Sequence, residues 1–251
     1  MHQPNARIFL AILLLFYRFM IIILIFTNFV ENIYVFYKIY LIKYCSHDII
    51  AKMVDYSAKT TGENFLYNET KTLASYILDG ESFDALKKRN INENLIMYKK
   101  EKAIARVNAP IFRRLAFLME KDMLKDFVYE DISTSKYILL YAVMKTDNLV
   151  KDFVFEVYKK KVLEDLDYID KKDIDDWYQE KMMMSEALKN VTIATENKLK
   201  QVIFKILQDA NLIKKEKNRF KIIKPSLKST FVDLLDSKGD INFAKSIGGL
   251  V

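Results

Sequence analysis

The chain has 251 residues, with 40 Lys and Arg against 33 Asp and Glu, a formal net charge of +7, and 51% hydrophobic side chains. That length buries a sizeable core, and 5 glycines and 3 prolines are too few to punctuate an all-β fold, so helices are the default. The single cysteine, Cys45, excludes an internal disulfide framework and fits a reducing compartment, and two histidines, His2 and His47, are too few to suggest a zinc site.

The chain reads as two unlike parts, 1–52 and 53–251. From Ile8 to Val30 the run IFLAILLLFYRFMIIILIFTNFV is long enough to cross a hydrocarbon core, which takes about 20 apolar residues. Arg18 near its middle costs roughly 2.5 to 3.5 kcal/mol on insertion, which the surrounding Phe, Ile and Leu offset. A signal peptide fits less well, because no small-residue cleavage site follows before the apolar pattern resumes at Ile33. Two readings stand. Either residues 1–52 are a transmembrane anchor, or they are upstream DNA of AT-rich codons and the chain begins at Met53, where MVDYSAKTTGENFLYNETKTLA turns to mixed polar and apolar usage. Membrane is a partner, and inner membrane a location, only under the first; the second makes the protein cytoplasmic. Arg7, Arg18, Lys38, Lys43 and Lys52 against Glu31 and Asp48 take three of the seven excess charges, leaving +4 on residues 53–251. A modest basic excess suits an acidic partner such as nucleic acid.

In the second part, 66–78 and 82–88 read as two short helices, with Gly80 placed to end the first. Between Tyr98 and Met119, Ile104, Val107, Ile111, Leu115 and Leu118 recur at steps of three and four and define one buried stripe. Lys99, Lys102, Arg106 and Arg113 fall on the opposite face as a basic ridge. Pro110 predicts a kink or break near Asn108. Asp131 and the following Ser and Thr supply caps ahead of 136–144, a helix apolar nearly all round and so central, and Asp147 caps the next, 149–162, which ends in Lys159, Lys160 and Lys161. An amphipathic helix is expected over 172–188, carrying Trp177 inward.

The final unit begins near Thr195, where Leu199, Val202, Ile203, Ile206, Leu207 and Ala210 form an apolar stripe and Lys198, Gln201, Lys205 and Gln208 share the opposite face. After Asn211, LIKKEKNRFKIIKP places two β-capable runs around a polar centre, Glu216 to Asn218, that turns. A helix followed by a basic hairpin has the look of a recognition helix and wing, in which Lys and Gln reach groove edges and basic strands meet phosphate. The first candidate nucleic-acid surface is therefore Lys198, Gln201, Lys205 and Gln208 with Lys214, Lys215, Lys217, Arg219 and Lys221; the second is Lys99, Lys102, Arg106 and Arg113.

No catalytic or cofactor-binding residue is readable. Asp170, Asp173, Asp175 and Asp176 at a helix start are explained by capping and the macrodipole rather than by a metal. The segment from Asp236 to Asp240 lacks the alternating ligands and terminal Glu of a calcium loop and reads as a turn. Met182, Met183 and Met184 read as core filler. Glycine loops of the G-x-x-x-x-G-K or G-x-G-x-x-G kind are missing, and Cys45 has no activating neighbour.

The run YSAKTTGENFLYNETKTLASYILDG from Tyr56 resembles the opening of the BrxA family, a component of the BREX bacteriophage-exclusion systems of bacteria. The blocks ENLIMYKKEKAIARV, STSKYILLYAVMKTDNLVKDFVFEVYKKKV, TENKLKQVIFKILQDANLI and GDINFAKSIGG are similar to the family's later blocks in the same order. The resemblance covers Tyr56 to Gly249, and since it begins just after Met53 it favours the later start. It implies a mainly α, multi-helix domain similar in part to the antitermination factor NusB, with affinity for DNA, no catalysis of its own, and other BREX proteins as partners; the groove-reading helix and basic hairpin make that DNA a duplex. Family members are often labelled inner-membrane proteins, a label that residues 53–251 do not support. The alternatives are a membrane-anchored scaffold held by Ile8 to Val30 and an RNA-binding protein of the NusB kind.

Overall fold

In the computed structural model the described residues are Tyr56 and 63–248, all within the unit 54–251. The apolar run 8–30 and Cys45 lie outside them. Among the described residues no helix is long and apolar enough to cross a membrane.

Helix α1 (Tyr67–Leu78) ends as predicted at Gly80, whose φ of 95° lets the Gly80 and Glu81 amides turn back to the carbonyls of Ile77 and Tyr76 at 3.1 and 3.0 Å. Helix α2 (Phe83–Glu93) runs past the expected end at Lys88 to Asn94, which takes a left-handed conformation. A 3-10 turn, Glu101–Ala103, leads into α3 (Ile104–Glu120), so Lys99 and Lys102 precede the helix they were expected to join. Pro110 does not break α3. Its neighbour Asn108 is buried and clamps α3 to α2, accepting from Asn90 Nδ2 at 2.8 Å and donating to the Lys87 carbonyl at 3.0 Å. Tertiary bonds of this kind hold a helix through a missing backbone donor.

After α4 (Leu124–Tyr129), the Asp131 carboxylate accepts from the amides of Ser133 and Thr134 at 2.9 and 3.2 Å and starts α5 (Ile132–Thr146). Every residue from Tyr137 to Met144 is buried, as an all-round apolar helix requires, with α3, α4 and α6 packed around it. Asp147 caps α6 (Asn148–Phe153), which passes through a π-helical turn, Val154–Tyr158, into α7 (Lys159–Leu163).

Strand β1 (Tyr168–Asp170) precedes α8 (Lys171–Met184) and α9 (Glu186–Lys189). One helix was expected over this stretch. Ser185 divides it: its backbone is extended and its Oγ accepts from the Leu188 amide, capping a new helix. The methionine reading is corrected at the same place, since Met183 and Met184 are 65% and 48% exposed and only Met182 of the three packs on the core. Trp177 is core, 4% exposed, its Nε1 donating to Glu156 at 2.8 Å. Helix α10 (Ile193–Asp209), strands β2 (Ile213–Glu216) and β3 (Arg219–Ile222), and helices α11 (Ser229–Ser237) and α12 (Ile241–Ser246) complete the fold. The sheet is antiparallel in the order β1-β3-β2.

Candidate nucleic-acid interface

Thr192 caps α10 by accepting from the Thr195 amide at 3.2 Å, and Leu199, Val202, Ile203, Ile206 and Leu207 are buried on one side. The opposite stripe presents Lys198, Gln201 and Lys205 exposed and Gln208 half-buried. A two-residue turn, Lys217 and Asn218, then reverses the chain between β2 and β3, with Lys217 at a φ of 53°.

The pleat of the hairpin sorts its cations. Pairing places Ile213 opposite Ile222 and Lys215 opposite Phe220 on one face, and Lys214 opposite Lys221 and Glu216 opposite Arg219 on the other. The first face packs against α10, because Phe220 stacks on Phe204 with centroids 4.1 Å apart and an interplanar angle of 14°. Lys198, Gln201, Lys205, Gln208 and Lys215 therefore line a single cleft of about 320 Å3, floored by Phe204, Val202 and Phe220. A neighbouring cleft of about 510 Å3 shares Gln201, Lys215 and the two phenylalanines and adds Lys217, Asn218, Asn197 and Lys171. The outer face is separate: Lys214 and Lys221 stand side by side, and the Arg219 guanidinium lies 3.6 Å from the centre of the Tyr168 ring on β1. The nine expected residues thus form two surfaces instead of one, because adjacent strand residues point to opposite faces.

Lys198, Lys214, Lys215, Lys217, Arg219 and Lys221 have no carboxylate in ion-pair range among the described residues. Lys205 is paired with Asp209 at 2.7 Å on the surface, where such a pair is weak. Lys200 differs. It is buried between Asp175 at 2.8 Å and Glu196 at 2.5 Å, with its ammonium 5.0 Å from the Tyr178 ring centre. Burial lowers its pKa and the two carboxylates raise it by more, so it is a locked structural cation.

The second expected surface is only partly assembled. Lys99, Lys102 and Arg106 are exposed, but Arg113 is spent on an ion pair with Glu63. Its neighbour Arg114 is 1% exposed and donates to the carbonyls of Asn64 and Phe65 at 2.9 Å and of Glu63 at 3.4 Å. Burial pulls its pKa down to about 10, leaving it a cation at neutral pH. The two arginines pin the strap 63–65 and so place Asn64 at the rim of the α10 cleft. Asn64, Phe204 and Phe220 were missed from sequence, since no local pattern reveals which loop crosses a distant helix.

The aspartates at the start of α8 cap and pair: Asp173 accepts from the Asp170 amide at 2.7 Å and meets Lys161 at 2.8 Å, while Asp175 meets Lys200. Among the described residues no group of three His, Cys, Asp or Glu is placed to hold a metal.

Residues 54–239 match the BrxA family. A protein described as BREX protein BrxA from Bacillus cereus (strain H3081.97) is 28% identical over 185 residues, covering 74% of this chain and 92% of that one. Among solved structures, an uncharacterised protein from Magnetospirillum magneticum shares the fold, with a TM-score of 0.62 at 15% identity over 76% of this chain and 97% of that one.

Proposed function

We propose that this chain, which belongs to the BrxA family, is a DNA-binding component of a BREX phage-defence system that acts without catalysis of its own, in the cytoplasm, alongside other BREX proteins. The BREX part follows from the family and from the Bacillus cereus relative's name. The DNA-binding part rests on one observation: the exposed stripe of α10 with the inner face and turn of the hairpin brings Lys198, Lys205, Lys215 and Lys217 with Gln201 and Gln208 around one aromatic-floored cleft system.

The order of helix, strand, three helices (the middle one, α9, a single turn) and hairpin, with the first strand paired to the last, supports a winged-helix reading in which α10 is the recognition helix and the β2–β3 turn the wing. From Lys198 to Gln208 the stripe extends about 15 Å at 1.5 Å per residue, comparable with a major groove about 12 Å wide. Glutamine amides match the paired donor and acceptor of an adenine edge, and lysines neutralise phosphates and release counterions.

The test is anisotropy titration of a labelled duplex at several salt concentrations. Replacing Lys198, Lys215 and Lys217 with Glu together removes no ion pair, so the fold is expected to persist while affinity falls at least about tenfold and the salt slope flattens by about 1 for each phosphate left without its lysine. An unchanged triple variant would rule out this surface. Wild-type protein that binds single-stranded RNA better at matched salt would favour the RNA reading instead.

A further inference from the structure

The α10 cleft does not end at the recognition helix. Asn64 and Lys205 line both it and a second hollow of about 540 Å3, which continues over the start of α1 and the start of α5. The lining changes character along this path. Beside the hairpin it is lysine and amide; beyond Asn64 it is Tyr67, Tyr98 and Ile132, with Lys136, which faces no carboxylate among the described residues and reaches only Asn211 Oδ1 at 3.4 Å and the Tyr67 ring at 5.9 Å.

Within the hollow, Ile132 is 65% exposed and gives its rim an apolar surface. Tyr98 is half-buried, packs against the core from one side, stacks on no other ring and has no partner for its hydroxyl among the described residues. Tyr67, by contrast, is already engaged, with Phe65 and Phe127 against its ring and Lys71 bonded to its hydroxyl. Glu69 and Asp209 also line the hollow. Lys205 holds Asp209 at 2.7 Å, so Glu69 is the carboxylate in the hollow without an ion-pair partner among the described residues; a carboxylate repels a phosphate backbone but accepts hydrogen bonds from the amino groups of a base. An apolar-aromatic floor with amide and carboxylate acceptors, and Lys136 and Lys205 at its edge, suits an unstacked nucleobase and its phosphate.

Resting on the DNA-binding reading above, we propose that this hollow takes an unpaired nucleotide continuing from the duplex held by α10, with Tyr98 as the stacking ring, so that the preferred ligand is a duplex with a single-stranded extension.

The experiment compares, by anisotropy at fixed salt, one blunt duplex with the same duplex carrying a four-nucleotide 5′ or 3′ overhang. Wild-type protein is expected to bind one overhang form about tenfold more tightly than the blunt form. Tyr98→Leu is expected to abolish that advantage while leaving blunt-duplex affinity unchanged, and Tyr98→Phe to keep it. Equal affinity for all three duplexes overturns the proposal and leaves duplex binding standing, as does an overhang preference that survives Tyr98→Leu. Failure to bind any duplex removes the underlying DNA-binding reading itself.

Discussion

Arg114 carries a charge into the core and uses it to hold chain rather than ligand. Three successive carbonyls, from Glu63, Asn64 and Phe65, receive its guanidinium. Arg114→Met is expected to lower stability by about 3 kcal/mol, read from the urea midpoint, because it orphans these acceptors. Arg114→Lys should recover little of the loss, a point donor being unable to reproduce the planar fork. Asp131 offers a pH test. The Lys228 ammonium, and after it the Thr134 hydroxyl, hold its carboxyl well below the usual carboxylate range. A folded pKa below the unfolded one stabilises the fold above about pH 3.9 and ceases to as pH falls toward the folded value. Asp131→Asn keeps a capping oxygen and loses the charge, so it should be less stable than wild type at pH 7, the gap closing below about pH 4 in parallel denaturant titrations.

Among the elements, the hairpin shows how a local pattern was both readable and misleading. Its turn and its two runs were legible from LIKKEKNRFKIIKP, but β1, three residues long, carries no strand signal, and the partition of the cations appears only once the register is known. Lys214 faces Lys221 with no acid between them, an arrangement that costs stability. Lys221→Glu is expected to stabilise the domain by about 0.2–1 kcal/mol, seen as a raised thermal midpoint. If the cleft beside α10 makes the principal contacts, its effect on duplex affinity will be smaller than that of the Lys198, Lys215 and Lys217 triple variant. Ser185 makes the same point for helices: as a residue inside an amphipathic pattern it looks tolerable, yet its side chain caps a new helix and ends the previous one.

At the scale of the whole molecule, the C-terminal segment closes the core around α5. Asp240 accepts from the Tyr141 hydroxyl and the Lys145 ammonium, Phe243 meets Tyr141 edge-on at 5.2 Å, and Ile247 is fully buried. Burial, reinforced by Asp240, pushes the Tyr141 hydroxyl far above its ordinary pKa. Truncation after Gly239 is therefore expected to cost several kcal/mol, since each fully buried large side chain contributes about 1.5–3 kcal/mol. Equilibrium unfolding in urea checks it, an unaltered midpoint being the contrary result.

What the sequence by itself determined is much of what depends on neighbours within a few positions, although the cap at Ser185 shows that a local signal inside an amphipathic pattern can be passed over. The periodic stripes of α3 and α10, the caps at Asp131 and Asp147 and the stop at Gly80 are of this kind, because helical periodicity and capping are short-range physics; the family resemblance from Tyr56 onward was legible too, as a series of extended blocks. Only the tertiary structure decided that Pro110 is tolerated, that Arg113 and Arg114 serve the strap, and that Asn64, Lys205 and Lys215 meet at one cleft. Those outcomes depend on contacts between residues from 18 to more than a hundred positions apart, which no local spacing encodes.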